Sequence, residues 1–284
     1  MQPTQLTPRA RLFDPEAMAR WLVNAHAKRQ TFARAPKAIR ARTALEACAV
    51  QQSFVKMKSE HCGPAVGWKI ALSTPVMQHM VGLDAPVAAR LHQKQIVRAP
   101  AQTVLSSYTR LIVEFEIAIR LSRDLKAQSN PHTAASVREA VGFVAPAIEL
   151  ADDRRAIYPE MHDKGLELLA DNAWNEGVIL GPEMALSQVL LGPSVLGEQD
   201  GLAQIQGRVF LNGQSIGAGV GADLMGHPLQ ALAWLANAAN DRGECLKRGQ
   251  LCILGSLVSS KFAQLHDRFR FELQGFAPIE LSIV

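Results

Sequence analysis

The period of the apolar positions changes near residue 66. Before it, "DPEAMARWLVNAHAKRQ" and "TALEACAVQQSFVKMKSE" carry apolar residues at helical spacing, so residues 14–62 read as helical. Asp14 is placed to cap the first turn and Pro15 to occupy its first helical position. "CGPAVG" then breaks the pattern and "WKIAL" opens an extended run. The spacing predicts a helical region over residues 1–66 and a second unit over 67–284.

The second unit mixes strands with short helices. "TPVMQHMVG" reads as a short helix, "RLIVEFEIAIRLS" as a strand, "TAASVREAVGFV" as a helix and "APAIELAD" as a strand. "GVILG" is extended, and "IQGRVFLNGQSIGAGVG" is a hairpin turning at Asn212-Gly213. "GHPLQALAWLANAANDRG" is a helix opened by Pro228 and closed by Gly243; "QLCILGSLV" and "FRFELQGFAPIELSIV" are closing strands. The fold class this predicts is α+β, a small helical N-terminal region on a mixed, β-rich domain.

Acids interrupt the apolar strands. In an extended "LIVEFEIAIR", Glu114 and Glu116 project to one face, with Val113, Phe115 and Ile117 on the other. Neighbouring carboxylates withdrawn from water repel, and one is driven towards its neutral form. The face is solvated, or the pair shares a proton, or a cation lies between them. Glu149 adds a third carboxylate within "PAIELADDRR", and Asp152 and Asp153 follow at that strand's polar exit. Three carboxylates on strands suit a hard divalent cation such as Mg²⁺ or Mn²⁺, which take oxygen ligands. Lys69 in "VGWKIAL" is the other charge in an apolar run. It reads as an edge-strand lysine, or as a general acid or base beside a metal.

Composition narrows the class. With 284 residues and 48% hydrophobic content the chain can bury a core, and its net charge is only +4. Arg20, Lys28, Arg29, Arg34, Lys37, Arg40 and Arg42 lie in a stretch with no acid between Glu16 and Glu46. Aromatic residues are sparse among them and no nucleic-acid motif accompanies them, so the stretch reads as a solvated face, or as a patch attracting phosphates or an anionic substrate, rather than a nucleic-acid surface. Cys48, Cys62, Cys245 and Cys252 form no CxxC pair and fit a reducing compartment. No apolar leader segment and no membrane-length apolar run is present, and the expected location is cytoplasmic.

Seven segments, in order, carry a resemblance: "GWKIALST", "VEFEIAIRL", "PAIELADDR", "ADNAWNEGVILG", "LNG", "GHPLQALAWLAN" and "LCILGSLV". Over roughly residues 44–284 the chain resembles the 2-keto-4-pentenoate hydratases and 2-oxo-3-hexenedioate decarboxylases, within the fumarylacetoacetase-like superfamily. The resemblance implies that Glu114, Glu116 and Glu149 are metal ligands and that Lys69 is the active-site lysine. It implies substrate contacts from Leu72, Ser73, Asp171, Asn172, Trp174, Gly255 and Ser256, and a helix-entry role for His227. Asp171 also reads as a turn or cap residue.

The same resemblance implies a Mg²⁺ or Mn²⁺ cofactor, a small 2-oxo acid substrate from aromatic or steroid catabolism, and a homo-oligomer. A complex with a related hydratase or decarboxylase subunit is a further partner it allows. Three functions follow: a hydratase of a 2-hydroxy-dienoate, a 2-oxo acid decarboxylase, and a catalytically weak oxo-acid-binding relative. Several positions depart from the pattern. Val87 or Ala88 stands where the hydratases carry the acid of "PDYG" or "PDFG"; Ala71, Trp174 and Val258 replace a glycine, a serine and a threonine. A tryptophan at 174 implies a short or apolar distal end to the substrate, unless Asn175 faces the pocket and Trp174 the core.

Overall fold

The computed structural model describes residues 13–191 and 201–284, so the leader reading of residues 1–12 lies outside the described residues. The chain opens with α1 (Pro15–Ala27), α2 (Ala44–Cys62), β1 (Ala65–Ala71), α3 (Pro75–Val81), β2 (Val87–His92), β3 (Ile96–Arg98) and β4 (Ala101–Thr103). It continues through β5 (Leu111–Leu121), α4 (Ala134–Arg138), β6 (Val141–Asp152), α5 (Gly165–Ala170), β7 (Asn175–Leu180), β8 (Met184–Ala185) and α6 (Leu186–Leu191). It closes with α7 (Gly201–Gln204), β9 (Gln206–Leu211), β10 (Gln214–Val220), α8 (Pro228–Asn240), β11 (Leu251–Ser256), β12 (Lys261–Phe262), β13 (Arg268–Leu273) and β14 (Ile279–Ile283).

Local chemistry explains most of these boundaries. The Asp14 carboxylate accepts from the Glu16 and Ala17 amides at 3.0 and 3.2 Å, capping α1, and the Thr43 hydroxyl accepts from the Glu46 amide at the start of α2. Residues 14–62 are not continuously helical. Arg29 turns left-handed at φ 50°, Pro36 interrupts the following stretch, and Phe32, Ala35 and Ala41 enter the core from an irregular segment. The helix expected over "TAASVREAVGFV" stops at Arg138. Val141 and Val144 instead pair with Leu121 and Ile119 across β5, so β6 begins eight residues before its acid Glu149. His227 is the helix-entry residue expected: its Nδ1 accepts from the Leu229 amide at 2.9 Å.

Two sheets organise the molecule, and with the helices they give the α+β class predicted. One has nine strands, ordered β2-β1-β11-β5-β6-β7-β3 with β12 on β5 and β8 on β6; the other is β10-β9-β13-β14-β4. Between them Phe115 of β5 packs at ring-centroid distances of 5.8 Å on both Phe269 and Phe271 of β13, and α8 buries Leu229, Leu232 and Leu235 in the same cluster. Full burial of such side chains stabilises the fold by roughly 1.5–3 kcal/mol each. A second cluster joins Met18, Leu22, Val50 and Phe54 of α1 and α2 to Met161, Leu168 and Trp174. The change of period near residue 66 coincides with the start of β1.

Four of the seven cations of the basic N-terminal stretch form ion pairs within the fold. Arg20 pairs with Asp14 and Glu16, Arg34 with Asp163, Arg40 with Glu167 and Arg42 with Glu46. Among the described residues no helix is long and apolar enough to cross a membrane.

Candidate active site

Strands β5 and β6 run antiparallel with Glu114 directly opposite Glu149. Glu116 lies two residues along β5, on the same face as Glu114. The pleat and the register therefore bring three carboxylates together, with one oxygen of each within 4.8 Å of the others. Glu116 and Glu149 are fully buried and Glu114 is half-buried.

A few groups approach this triad. Lys69 Nζ, on β1, donates to Glu149 Oε1 at 2.5 Å and to the Ala173 carbonyl at 3.1 Å. Asn175 Nδ2 donates to the same Glu149 oxygen at 2.8 Å, and the Gly255 amide donates to Glu116 Oε2 at 2.7 Å. Glu116 Oε1 and Glu149 Oε2 are buried with no hydrogen-bond partner among the described residues. Burial and the Glu149 charge push the Glu114 carboxyl up to about 7, against the pull of Lys69. Burial, then Glu149 and Glu114, raise Glu116 well above the usual carboxylate range. Burial alone would lower the Lys69 ammonium; Glu149, Glu114 and Glu116 outweigh it and hold it above its ordinary value.

Ionised together, the three carboxylates would leave an excess of negative charge against the one ammonium, and two of their oxygens face no donor among the described residues. A divalent cation offsets both, and an all-oxygen set suits Mg²⁺ or Mn²⁺. The residues present therefore fit the metal that the strand acids suggested. The wet-face alternative does not survive the burial of Glu116 and Glu149.

The remaining predicted residues divide. Leu72 sits at φ 55° with its carbonyl accepting from Gln78 Nε2 at 2.9 Å. Ser73 lies against the Gly255 turn: a Cβ at Gly255 would meet Ser73 Oγ at 3.2 Å, and its φ of 109° is one that only glycine adopts readily. The Ser256 hydroxyl donates to the Val258 carbonyl at 2.7 Å and accepts from the Phe115 amide at 2.9 Å, bracing the β11–β5 irregularity. Asp171 and Asn172 are buried and committed elsewhere. Asp171 pairs with Arg154 and with His26 Nε2, the latter at 2.5 Å; Asn172 bonds the backbone of Arg90. Each of these side chains is engaged in holding the fold.

Of the two arrangements open for residues 174 and 175, Asn175 takes the position on Glu149. The Trp174 indole lies edge-on to Phe32 at 5.1 Å in the cluster beneath the N-terminal helices. Its Nε1 has no partner among the described residues. The "PDYG" acid position falls in β2, where Val87 and Ala88 are fully buried and Ala89 is the register partner of Lys69. Asp152 and Asp153 are structural: Asp152 accepts from the Thr109 and Arg110 amides, and Asp153 pairs with Arg110.

Sequence patterns did not single out the Ala173 carbonyl, the Gly255 amide or His26. Two are backbone groups with no side-chain signature, and His26 gave only a polar position on a helix.

No family model matches the chain. It is 28% identical over 267 residues to a 2-keto-4-pentenoate hydratase of Paraburkholderia phymatum, covering 94% of this chain and 96% of that protein. It is 30% identical over 211 residues to a 2-keto-4-pentenoate hydratase of Burkholderia vietnamiensis, covering 74% and 75%. In fold it matches the 4-oxalocrotonate decarboxylase of Pseudomonas putida G7, solved with magnesium and adipate, at a TM-score of 0.82 and 22% identity over 95% of this chain and 97% of that one. With 30% identity across 75% of a hydratase's length, the chain belongs to the 2-keto-4-pentenoate hydratase and 2-oxo-3-hexenedioate decarboxylase family.

Proposed function

We propose that this protein is a metal-dependent hydro-lyase that adds water to a small unsaturated 2-oxo acid, of the 2-hydroxy-dienoate type arising in aromatic-ring breakdown. The observation that carries the reading is the buried triad Glu114, Glu116 and Glu149, with two unpartnered oxygens beside a single ammonium. The hydratase names of its relatives support the substrate class. The three glutamates would hold the ion, Mg²⁺ or Mn²⁺. When bound, that ion supplies Lewis-acid stabilisation of negative charge developing on the substrate's 2-oxo oxygen.

The chain's own groups do the rest. Lys69, fixed between Glu149 and the Ala173 carbonyl, is a buried ammonium able to give and recover a proton at the substrate's carbon skeleton, or to pair with its carboxylate. Asn175 and the Gly255 amide each occupy one carboxylate oxygen and so select which oxygens face the site. Leu72, Ser73, Gly255 and Ser256 form the wall proposed to contact substrate. The active form is proposed to be a cytoplasmic homo-oligomer, alone or with a related subunit, which light scattering of the purified protein tests.

The experiment is direct. Purified protein with Mg²⁺ should bleach the ultraviolet absorbance of 2-hydroxypentadienoate and yield a hydroxylated 2-oxo acid. Unchanged absorbance at micromolar protein would remove the reading. One observation favours a second reaction. Around the register partner of Lys69, β2 carries Val87, Ala88 and Ala89, none of which can carry a proton. Loss of CO₂ requires only one later protonation, whereas hydration requires both proton delivery and water activation. Carbon dioxide release from 2-oxo-3-hexenedioate, without hydration of the dienoate, would assign the decarboxylase reaction instead.

A further inference from the structure

Between α5 and β7 the backbone turns left-handed at three successive residues that all carry side chains: Asn172 at φ 53°, Ala173 at 48° and Trp174 at 62°. Residues other than glycine visit this region singly, with Asn among the more tolerant types, and not in runs. Such a conformation persists where its surroundings over-determine it.

The surroundings do so at both ends and in the middle. Ahead of the turn, Asp171 is held by Arg154 of the β6 exit and by His26 of α1. Beyond it, Glu176 is held by Lys58 of α2 at 2.6 Å and lies 3.4 Å from His26 Nδ1. In the middle, the Asn172 side chain closes a two-point clamp on Arg90: Oδ1 accepts from the Arg90 amide at 2.7 Å and Nδ2 donates to its carbonyl at 2.9 Å. Strand β2 is the outer strand of the nine-stranded sheet, so the carboxamide occupies Arg90's free edge much as one rung of a further strand would.

What the turn presents is the inner side of the acidic site. The carbonyl of its central residue, Ala173, receives Lys69 Nζ at 3.1 Å, and Asn175 immediately after it donates to Glu149 at 2.8 Å. We propose that Asn172 is a positioning residue: its clamp on Arg90 holds the left-handed turn so that the Ala173 carbonyl sets the place of Lys69 and Asn175 sets the orientation of Glu149. Asparagine meets both demands here. It tolerates positive φ, and its amide has the donor and the acceptor that Arg90's edge requires. Aspartate lacks the donor, and glycine lacks the side chain altogether.

The inference rests on the metal-site reading for one of its two measurements only. In Asn172→Gly the positive φ is tolerated and the clamp is gone. Mn²⁺ affinity, measured by calorimetry, should fall about 10- to 100-fold, the usual loss when a group that orients a ligand is removed. In its crystal structure the contact between Lys69 and the Ala173 carbonyl should be broken. Asn172→Asp, which keeps one of the two bonds, should lie between Asn172→Gly and wild type, and it replaces Asn172→Gly if that variant does not fold. Ile283→Ala, a cavity in the other sheet's core, is the stability control and should bind Mn²⁺ as wild type does. Wild-type Mn²⁺ affinity together with an intact Lys69–Ala173 contact in Asn172→Gly would overturn the proposal, as would an equal loss of affinity in Ile283→Ala. If wild type itself binds no Mn²⁺, the metal reading fails, and the Lys69–Ala173 contact in the two crystal structures alone decides whether Asn172 positions the turn.

Discussion

At the scale of single residues, charge placement decides what the site can do. Glu114 is a half-buried carboxylate raised to about 7 by loss of hydration and by Glu149, so near neutral pH its charge costs the metal-free fold. Glu114→Gln removes that charge and keeps the shape. Two opposite effects should appear in one variant: Mg²⁺ binding lost from calorimetry, and the metal-free protein stabilised at pH 8 by ~1–3 kcal/mol. Unchanged Mg²⁺ affinity would take Glu114 out of the ligand set. Lys69 is tested differently. Lys69→Met keeps most of the stem and deletes the ammonium, and a proton carrier lost in this way should lower kcat/KM by roughly 10²–10⁴-fold. A loss under about threefold would reduce Lys69 to a counter-charge for Glu149.

At the scale of elements, the site is assembled from strands β1, β5, β6 and β7, a turn and a glycine corner, and these were unequally legible. Glu114 and Glu116 could be read because a strand's two-residue period puts alternate positions on one face, and Glu149 because an acid in "PAIEL" contradicts its neighbours. Register could not be read: that Glu149 stands opposite Glu114, rather than Glu116, follows from pairing along the whole β5–β6 ladder. The 172–174 turn left no local signal, since only Asn172 of its three residues commonly takes a positive φ. The helix expected over residues 133–144 ends at Arg138 because cross-strand pairing of Val141 and Val144 outweighed local helical spacing. Gly255 gives the element-scale prediction. Its φ of 109° and the Ser73 hydroxyl 3.2 Å from an added Cβ make alanine strained, and its amide is the donor to Glu116 Oε2. Gly255→Ala should destabilise the fold by about 1–3 kcal/mol and weaken Mg²⁺ binding. Urea midpoints and calorimetry check the two effects, and wild-type values for both would show that the corner carries neither role.

At the scale of the whole molecule, the N-terminal helices are tied electrostatically to the back of the acidic site. His26 of α1 is bonded to Asp171, lies beside Glu176, and shares Glu176 with Lys58 of α2. Burial alone would lower the His26 imidazole, and Lys58 adds to that; Asp171 and Glu176 outweigh both and hold it above its ordinary value. Despite burial, Asp171 is held below its ordinary value by Arg154 and His26, and Glu176 is brought down to about 2 by Lys58 and His26, so these partners stay ionised through mildly acidic pH. A histidine raised on folding binds its proton more tightly in the native state. Its contribution is therefore complete below the unfolded value of about 6.5 and fades as pH rises through the higher folded value. A hydrogen bond to a charged partner contributes roughly 1.5–3 kcal/mol, so His26→Asn should cost about that much at pH 5.5 and progressively less towards pH 9. The measurement is a series of urea midpoints for wild type and variant across that range, with metal absent so that site occupancy does not enter. A gap between the two proteins that stays constant from pH 5.5 to 9 would mean that His26 joins the helices to the 171–176 segment by packing against Phe54 rather than by its charge.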